Sequence, residues 1–314
     1  MSQAPEASER PPVGRFAPSP TGPLHPGSLV AALGSYALAR RFGGRWLLRI
    51  EDLDAPRVVH GAADDILRTL EALGFTWDGP VVRQSQRGEA YEAALAELSA
   101  LGAVYPCACS RAEIARASTA PHGEDGPAYP GTCRDGLPAG TPVRALRVRV
   151  PPEEIAFQDG VAGLYGSRLA DCGDFVVRRA DGPFAYQLAV VVDDAHSGVT
   201  QVVRGSDLLS STPRQVHLQC LLGYDRPSYW HLPLVTGPGG TKLSKRDNAL
   251  SLARGLRSRA EGGDLLLRAL RFLGQRPPPS LRGAPPIEVL SWAATSFDPS
   301  AVPPAPGPFP ATSE

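Results

Sequence analysis

Strands and helices alternate along the first hundred residues of the chain, as the spacing of apolar residues indicates. Residues 15–20 are predicted to form a strand, and Pro26–Arg41 carries apolar residues at helical spacing. A buried strand is predicted at residues 45–50, and further helices at residues 62–73 and 87–101. Glycines follow the helical segments and favour their ends there. Alternation of this kind is typical of an α/β fold with a doubly wound parallel sheet.

The central part of the chain interrupts this pattern. Residues 105–183 contain four of the five cysteines, three of them close together in sequence, with a loop rich in Gly, Pro and His and an alternating run at residues 145–150. Alternation of apolar and polar residues predicts antiparallel strands. Sheet character is predicted again at residues 186–193 and 201–204. We therefore expect residues 105–183 to be an insertion that splits the sheet domain.

These boundaries predict the domain organisation of the whole chain. Residues 14–104 and 184–250 are expected to form the two halves of the sheet domain. A short helical stem is expected at residues 251–298, where apolar residues return at helical spacing. Residues 1–13 and the Pro-rich residues 299–314 are predicted to be disordered.

Composition excludes several classes of protein. Hydrophobic residues make up 42% and charged residues 20% of the chain, which suits a folded globular protein rather than a disordered one. The formal net charge is zero, so no overall basic field indicates nucleic acid, although a local basic face remains compatible with RNA. No stretch approaches the roughly 18 to 20 apolar residues that cross a bilayer, and an odd number of cysteines argues against a disulfide framework. We expect a monomeric cytoplasmic protein without membrane contact.

The segment RFAPSPTGPLHPGSL at residues 15–29 brings a histidine to the start of the first predicted helix. A helix N-terminus offers free N–H groups and a partial positive charge, which suits phosphate. His25 can donate a hydrogen bond to phosphoryl oxygens there, and Gly27 allows a nucleotide to approach the backbone closely. A lone His-x-Gly is more often an ordinary strand–turn–helix than a phosphate site, so the prediction depends on the longer segment.

A second segment, KLSKR at residues 242–246, follows a glycine-rich stretch. Lys242 and Lys245 lie three residues apart on a loop that can close over a triphosphate and stabilise charge on leaving pyrophosphate. Alone, such a loop is more often a solvated basic surface. Together, the two segments predict that ATP binds between them.

These segments resemble a known enzyme family. PSPTGPLHPGSLVAAL and KLSKR are similar to the two signature segments of class I aminoacyl-tRNA synthetases, and RFAPSPTG and LLRIEDLD resemble the glutamyl-tRNA synthetase branch. The resemblance covers residues 14–248 and implies a Rossmann-type catalytic domain split by an insertion, with nucleotide across the carboxyl ends of the strands. Ser28 and Arg246 depart from the family signatures, and we expect them to alter ATP affinity without abolishing activity.

Only 68 residues follow Arg246, whereas full-length glutamyl-tRNA synthetases continue with a large helical anticodon-binding region. The chain therefore resembles a family of short paralogues, the glutamyl-Q tRNA(Asp) synthetases. This resemblance implies that glutamate is activated with ATP and transferred to queuosine at the wobble position of tRNA(Asp). The alternatives are a truncated or discriminating glutamyl-tRNA synthetase that charges a tRNA 3′ end, a small-molecule ligase, and a catalytically inactive tRNA-binding paralogue.

The resemblance also implies which residues form the site. Glutamate carries two carboxylates and an ammonium group, which call for guanidinium and acidic partners. The implied glutamate-binding residues are Arg15, Phe16, Ala17, Pro18, Ser19, Glu51, Tyr186 and Arg204, with Glu51 facing the substrate ammonium. The implied ATP-binding residues are His25, Gly27, Ser28, Lys242, Ser244 and Lys245. Of these, His25, Lys242 and Lys245 are expected to be catalytic, acting with a Mg²⁺ ion by positioning and charge stabilisation.

Three cysteines of the insertion, Cys107, Cys109 and Cys133, have the density of a metal site. Thiolates in a reduced compartment suit tetrahedral zinc, and three of them leave the fourth ligand open. The family pattern implies Tyr129 as that ligand, Asp135 is a rival, and His122 is a weaker one. The zinc is expected to be structural and to hold the insertion that faces the RNA.

The alternating run of the insertion also carries arginines. Arg144, Arg147 and Arg149 are expected to share one strand face, which could meet RNA phosphates. A solvated strand face is at least as good an interpretation of the same pattern.

Overall fold

A computed structural model describes residues 10–117, 128–179, 182–237 and 259–310. Several residues singled out by the sequence therefore lie outside the described residues. They are His122, Lys242, Ser244, Lys245 and Arg246.

The described residues form strands and helices in mixed order. The strands are β1 (Val13–Phe16), β2 (Arg45–Ile50), β3 (Val82–Arg83), β4 (Val104–Cys107), β5 (Ala145–Val148), β6 (Glu154–Asp159), β7 (Gly163–Arg168), β8 (Phe175–Arg179), β9 (Gln201–Gly205), β10 (Ser228–Leu232), β11 (Val235–Thr236) and β12 (Gly307–Pro308). The helices are α1 (Pro26–Arg41), α2 (Ala62–Ala72), α3 (Gly88–Ala100), α4 (Arg111–Ala117), α5 (Leu169–Cys172), α6 (Tyr186–His196), α7 (Thr212–Leu221), α8 (Arg259–Phe272) and α9 (Pro286–Ser296). None of the described helices is long and apolar enough to cross a membrane.

The central sheet has the strand order β3-β2-β1-β9-β10-β6-β7. Its neighbouring strands are parallel except for the β6–β7 hairpin at one edge. The prediction of an α/β fold with a parallel sheet is confirmed. Parallel strands bring their carboxyl ends to one edge of the sheet, where ligands of open α/β folds bind.

Both faces of the sheet are buried. On β9, Val202 packs in a cluster with Val216 of α7, whereas the next residue, Val203, packs in a cluster with α1. Successive side chains of a strand point to opposite faces, so α1 and α7 cover opposite sides of the sheet. Helices α8 and α9 pack against α1, and α6 packs against α7.

Helix α1 has the bounds that the sequence predicts, because its end signals are local. Pro26 has a fixed φ that suits the first turn and lacks the N–H that would stay unpaired there. Gly43, with φ of +67°, follows the helix and takes the left-handed conformation common after helix ends. Arg40 and Arg41 lie in the last turn, where positive charge suits the helix dipole.

The prediction of a strand at residues 186–193 is wrong, since this segment lies in helix α6. The run is apolar and rich in valine, which favours strands, but an apolar run without alternation fits a buried helix equally well. The helix is buried on several sides, and the side chains from Leu188 to Asp194 are all buried. Burial on all sides removes the periodicity that would have distinguished the helix.

The predicted insertion contributes to two sheets. Strands β4, β5 and β8 form a separate antiparallel sheet, as expected for this region. The β6–β7 hairpin instead extends the central sheet, where Tyr229 of β10 pairs with Asp159 of β6. Backbone pairing therefore joins the predicted insertion to the central sheet.

The prediction of a disordered tail is wrong for residues 299–310. Val302 is buried, β12 pairs with β11, and Phe309 packs on Phe272. The Nε atom of Arg268 donates to the carbonyl of Pro310 at 2.6 Å. Proline has no backbone N–H donor, but its ring can pack and its carbonyl can accept a hydrogen bond. The Pro-rich residues here therefore form an irregular but ordered segment.

Candidate active site

A cleft of about 820 Å³ opens where strands of the central sheet end. Phe16 ends β1, Glu51 follows β2, Gly205 ends β9 and Leu232 ends β10, and all four line the cleft. The cleft wall contains all the glutamate-binding residues that the resemblance implied, together with His25, Gly27 and Ser28. The structure thus brings together residues from five distant parts of the chain.

His25 is the N-cap residue of α1. Its Nδ1 atom accepts a hydrogen bond from the backbone N–H of Ser28 at 3.3 Å. Because Nδ1 accepts, the neutral ring carries its proton on Nε2. Burial lowers the pKa of His25 below its usual 6.5, although Asp207 opposes the shift. At neutral pH the ring is therefore an uncharged donor at a helix N-terminus.

Two buried arginines share one carboxylate below the cleft. Asp194 of α6 accepts from Nε of Arg15 at 3.1 Å and from Nη1 of Arg49 at 2.6 Å. Burial alone would raise the pKa of Asp194, but Arg15 and Arg49 outweigh burial and hold the pKa below its usual value. This shared carboxylate fixes both guanidinium groups.

Arg49 extends this network to the cleft surface. Its Nη2 atom donates to Oε1 of Glu51 at 3.1 Å. Burial raises the pKa of Glu51, and Arg49 and Arg15 oppose that shift. Glu51 therefore lies in the cleft wall with its carboxylate oriented from behind by Arg49.

The neighbouring carboxylate, Asp193, is fully buried and holds a second group of donors. It accepts from Tyr91 at 2.8 Å, Gln84 at 2.9 Å and Arg87 at 3.0 Å. These bonds tie α6 to α3 and to the segment before it. The Asp193–Asp194 pair thus fixes α6 on one side and the cleft arginines on the other.

Sequence reasoning missed Arg49, Asp193 and Asp194. The sequence did contain a signal for buried ion pairs. An arginine lies inside an apolar strand and two acids end an apolar run, and charged residues in such places are rarely buried without partners. Their partners could not be identified, since Arg49 and Asp194 are far apart in the chain.

Arg204 is buried at the end of β9 and has a different environment. Its guanidinium donates to Thr212 at 2.8 Å, to Nε2 of His231 at 3.1 Å and to the hydroxyl of Tyr186 at 3.3 Å. These three partners are uncharged, whereas Arg15 has Asp194. Burial raises the pKa of Tyr186, so its hydroxyl stays neutral. The positive charge of Arg204 is therefore available to an anionic ligand in the cleft.

The three insertion cysteines converge in the antiparallel part of the structure. The Sγ atoms of Cys107, Cys109 and Cys133 all lie within 4.8 Å of one another. The Tyr129 hydroxyl lies 3.4 Å from Sγ of Cys107 and accepts from the backbone N–H of Cys133 at 2.9 Å. Asp135, which is among the described residues, is not part of this cluster.

The expectation that Arg144, Arg147 and Arg149 share one strand face is wrong, because Arg147 points elsewhere. Its side chain is buried, with the guanidinium 3.8 Å above the Tyr129 ring and Nε 3.3 Å from Sγ of Cys107. A register shift between Leu146 and Arg147 breaks the simple alternation of β5. Arg144 is exposed and Arg149 half-buried, so the three do not form one solvent-facing stripe.

Comparison with known proteins agrees with this geometry. Residues 13–280 match the family described as tRNA synthetases class I (E and Q), catalytic domain. The chain is 66% identical to a glutamyl-Q tRNA(Asp) synthetase of Geobacter sulfurreducens, with 97% of this chain and 98% of the relative covered. The chain belongs to the glutamyl-Q tRNA(Asp) synthetase family. The family predicted from the signature segments is confirmed.

Further relatives agree with this membership. A protein of the same name from Dechloromonas aromatica is 58% identical, with 92% of this chain and 95% of that protein covered. The crystal structure of glutamate-tRNA synthetase from Elizabethkingia anophelis has the same fold, with a TM-score of 0.78 and 27% identity. The match covers 96% of this chain and 68% of that synthetase.

Proposed function

We propose that this chain activates glutamate with ATP as glutamyl-adenylate and transfers the glutamyl group to queuosine at the wobble position of tRNA(Asp). One observation carries the proposal: a single cleft contains Arg204, whose described partners are neutral, and a helix N-terminus capped by neutral His25. The first suits a carboxylate and the second suits phosphate. The names of the relatives support queuosine of tRNA(Asp) as the acceptor.

In this proposal each end of the cleft binds one substrate. Arg204 binds a carboxylate of glutamate, with Tyr186 beside it, and Glu51 pairs with the substrate ammonium. The free N–H groups of α1 and Nε2–H of His25 bind ATP phosphates. Lys242, Ser244 and Lys245 are proposed to contact the triphosphate, and Mg²⁺ to neutralise its charge.

The reaction then has two displacements. A carboxylate oxygen of glutamate attacks the α-phosphorus of ATP, and pyrophosphate leaves. A hydroxyl of queuosine next attacks the activated carbonyl, and AMP leaves. The protein contributes position and charge stabilisation in both steps, without a covalent enzyme intermediate.

Exchange of labelled pyrophosphate into ATP tests the first step. We expect exchange with glutamate and much less with aspartate or glutamine, because aspartate is shorter and glutamine lacks the second carboxylate. The assay is run with and without tRNA, so that a requirement for RNA is not mistaken for inactivity. Absence of exchange under both conditions would refute the activation step and favour an inactive paralogue.

Gly27 provides a test of the His25 position. A methyl group at residue 27 would lie 3.1 Å from Cε1 and 3.2 Å from Nδ1 of His25, which is closer than ordinary van der Waals contact. We expect Gly27→Ala to lower kcat for exchange by about 10- to 100-fold, because it displaces the imidazole. Its melting temperature should not fall, since alanine favours helices over glycine by up to about 1 kcal/mol.

Gly88→Ala is the matched control for this prediction. Gly88 opens α3, and a methyl group there meets no atom within 4 Å. Thermal unfolding and exchange kinetics are measured for both variants. Equal activity of the two variants would show that the ring position at residue 25 is not critical.

We also propose that Cys107, Cys109, Cys133 and Tyr129 hold a structural zinc ion. Tetrahedral zinc with thiolate bonds of about 2.3 Å separates its sulfur ligands by about 3.8 Å. The cysteine Sγ atoms lie within 4.8 Å of one another, and the Tyr129 hydroxyl adjoins them, so this donor set fits zinc. The ion would fix the insertion relative to β4 and β5.

Two substitutions separate the rival fourth ligands. We expect Tyr129→Phe to lower zinc affinity at least about 10-fold, because it removes an oxygen donor beside Cys107. Asp135→Asn should retain the wild-type affinity. Zinc content after dialysis against a graded chelator, measured by plasma mass spectrometry, gives both values. Loss of zinc from Asp135→Asn with retention in Tyr129→Phe would reverse the assignment.

The cytoplasmic location and the monomeric state are proposed on composition. The five cysteines, all among the described residues, form no disulfide, and none of the described helices is long and apolar enough to cross a membrane. Light scattering on the purified protein measures the oligomeric state, and a mass near 33.2 kDa is expected.

A further inference from the structure

A buried hydrogen-bond chain leads from the β6–β7 hairpin to Arg204. Asp159, the last residue of β6, accepts from Nδ1 of His231 at 2.6 Å, and Nε2 of His231 lies 3.1 Å from Nε of Arg204. The Asp159 and His231 side chains are both fully buried. The backbone N–H groups of Val161 and Ala162 donate to the same carboxylate at 2.9 and 2.8 Å, so the turn holds Asp159 in place.

Nε2 of His231 lies 3.1 Å from Nε of Arg204 and 3.1 Å from Oγ1 of Thr212. Arginine can only donate, so Nε2 of His231 must accept from Arg204. The neutral ring therefore carries its proton on Nδ1 and donates it to Asp159. A protonated His231 can donate from Nε2 to Oγ1 of Thr212, but it loses the hydrogen bond from Arg204 and places two cations together.

We propose that His231 is a positioning residue for glutamate, which holds the Arg204 guanidinium in the cleft through its unprotonated Nε2, with Asp159 fixing the tautomer. This role rests on the proposed function of Arg204 and adds a pH limit to glutamate binding. It also gives the β6–β7 hairpin a part in amino-acid recognition, although its sequence lies in the predicted insertion. The backbone pairing of β6 with β10 holds Asp159 beside His231.

Charged and titratable groups from several elements act on His231. Asp159 of β6 favours the protonated ring, whereas Arg204 of β9 and Arg15 of β1 oppose it. The Tyr229 ring stacks on His231 within β10. Burial is the largest influence and, with the two arginines, lowers the pKa of His231 below 6.5. The neutral ring therefore persists at pH 6.5 and above, and Arg204 loses His231 as an acceptor only at a lower pH.

Two substitutions separate positioning from packing. His231→Gln can place an amide oxygen near the Nε2 position and accept from Arg204 without an ionisable group. The asparagine of His231→Asn can donate to Asp159, but it is too short to place an acceptor near the Arg204 guanidinium. At about pH 8, where the wild-type ring is neutral, we expect KM for glutamate to rise about 10- to 100-fold in His231→Asn. In His231→Gln it should stay within about threefold of wild type, with kcat little changed in both.

The pH profile supplies a readout that packing alone would not move. In the wild type, KM for glutamate should rise with an acid limb whose midpoint lies below pH 6.5, whereas it should stay flat in His231→Gln. Asp159→Asn removes the charge that raises the pKa of His231, so its acid limb should move to lower pH. Tyr229→Phe is the control, because it removes a buried hydrogen bond to Gln219 and leaves the ring in place.

The outcomes distinguish this inference from the proposed function. Absence of exchange in the wild type refutes glutamate activation itself. Normal exchange with an unchanged KM in His231→Asn overturns the role of His231 alone. The role of His231 is also overturned if KM for glutamate rises at the same acidic pH in wild type, His231→Gln and Asp159→Asn. This comparison is informative even when all three proteins are fully active. Unfolding curves of all variants, with Tyr229→Phe as the reference, exclude general destabilisation as the cause.

Discussion

Arg204→Ala is expected to lower kcat/KM for glutamate in pyrophosphate exchange by at least about 100-fold, because loss of one partner of a buried charge pair costs about 3 to 5 kcal/mol. The proposal gives Arg204 a substrate carboxylate as its charged partner, since its Tyr186, His231 and Thr212 contacts are neutral. The loss should appear mainly in KM for glutamate, with KM for ATP within about threefold of wild type.

Arg68→Ala is the control for this variant. Arg68 lies on α2 with its side chain 67% exposed, and its ion pair with Asp65 spans 3.7 Å. Exposed pairs of this kind contribute about 0 to 1 kcal/mol, so exchange should be unchanged. Normal glutamate kinetics in Arg204→Ala would remove the residue from the substrate site and refute the assignment of the cleft.

Asp194→Ala is expected to have the largest effect on stability. The substitution leaves the buried guanidinium groups of Arg15 and Arg49 without their shared carboxylate. Breaking such a buried arrangement costs about 3 to 5 kcal/mol, which corresponds to a melting temperature lower by about 10 °C in a chain of this size. Glutamate-dependent exchange should fall as well, because Arg49 orients Glu51.

The pH dependence of this difference follows from the pKa of Asp194, which the two arginines hold below 3.8. Because the folded-state pKa is lowered, the carboxylate contributes its full stability above the unfolded value and loses it as the pH falls through the folded value. The gap between wild type and variant should therefore persist from neutral pH down to about pH 4. Thermal unfolding by circular dichroism across this range measures it.

Asp65→Ala provides the comparison, since it removes an acid from an exposed ion pair with Arg68. Its melting temperature should fall by no more than about 3 °C. If Asp194→Ala were no less stable than Asp65→Ala, the conclusion that the buried Arg15–Asp194–Arg49 network stabilises the fold beneath the cleft would be wrong.

The parts of the fold that could be predicted have signals within a few residues. Helix α1 carries Pro26 at its start and Gly43 after its end, and β2, which follows it, has the bounds predicted from its apolar residues. His25 could be assigned to a helix N-terminus for the same reason. These features depend on local backbone chemistry, which a single sequence displays directly.

The parts that could not be predicted depend on distant contacts. The sequence of helix α6 predicts a strand because burial on all sides hides the helical period, and the order of residues 299–310 depends on α8 and β11. The pairing of Arg49 with Asp194 and of Asp159 with His231 arises only when separate strands and helices meet. A sequence shows that such charged residues need partners, but the fold decides which partners they have.

The prediction of the proposed glutamate-binding residues depends on resemblance rather than on pattern alone. Arg15, Glu51 and Arg204 are common residue types at strand ends, and their convergence in one cleft could be expected only from the family's arrangement. The geometry adds a distinction that the motifs lack. Arg15 is neutralised by Asp194, whereas the described partners of Arg204 are uncharged.

The most direct test of the central claim is transfer of labelled glutamate to defined RNAs in the presence of ATP. Three acceptors are compared: tRNA(Asp) containing queuosine, tRNA(Asp) without queuosine, and queuosine-containing tRNA(Asp) from which the 3′-terminal adenosine has been removed. We predict labelling of the first and third RNAs and none of the second. Labelling of the second RNA, or loss of labelling from the third, would contradict transfer to queuosine and establish charging of a tRNA 3′ end.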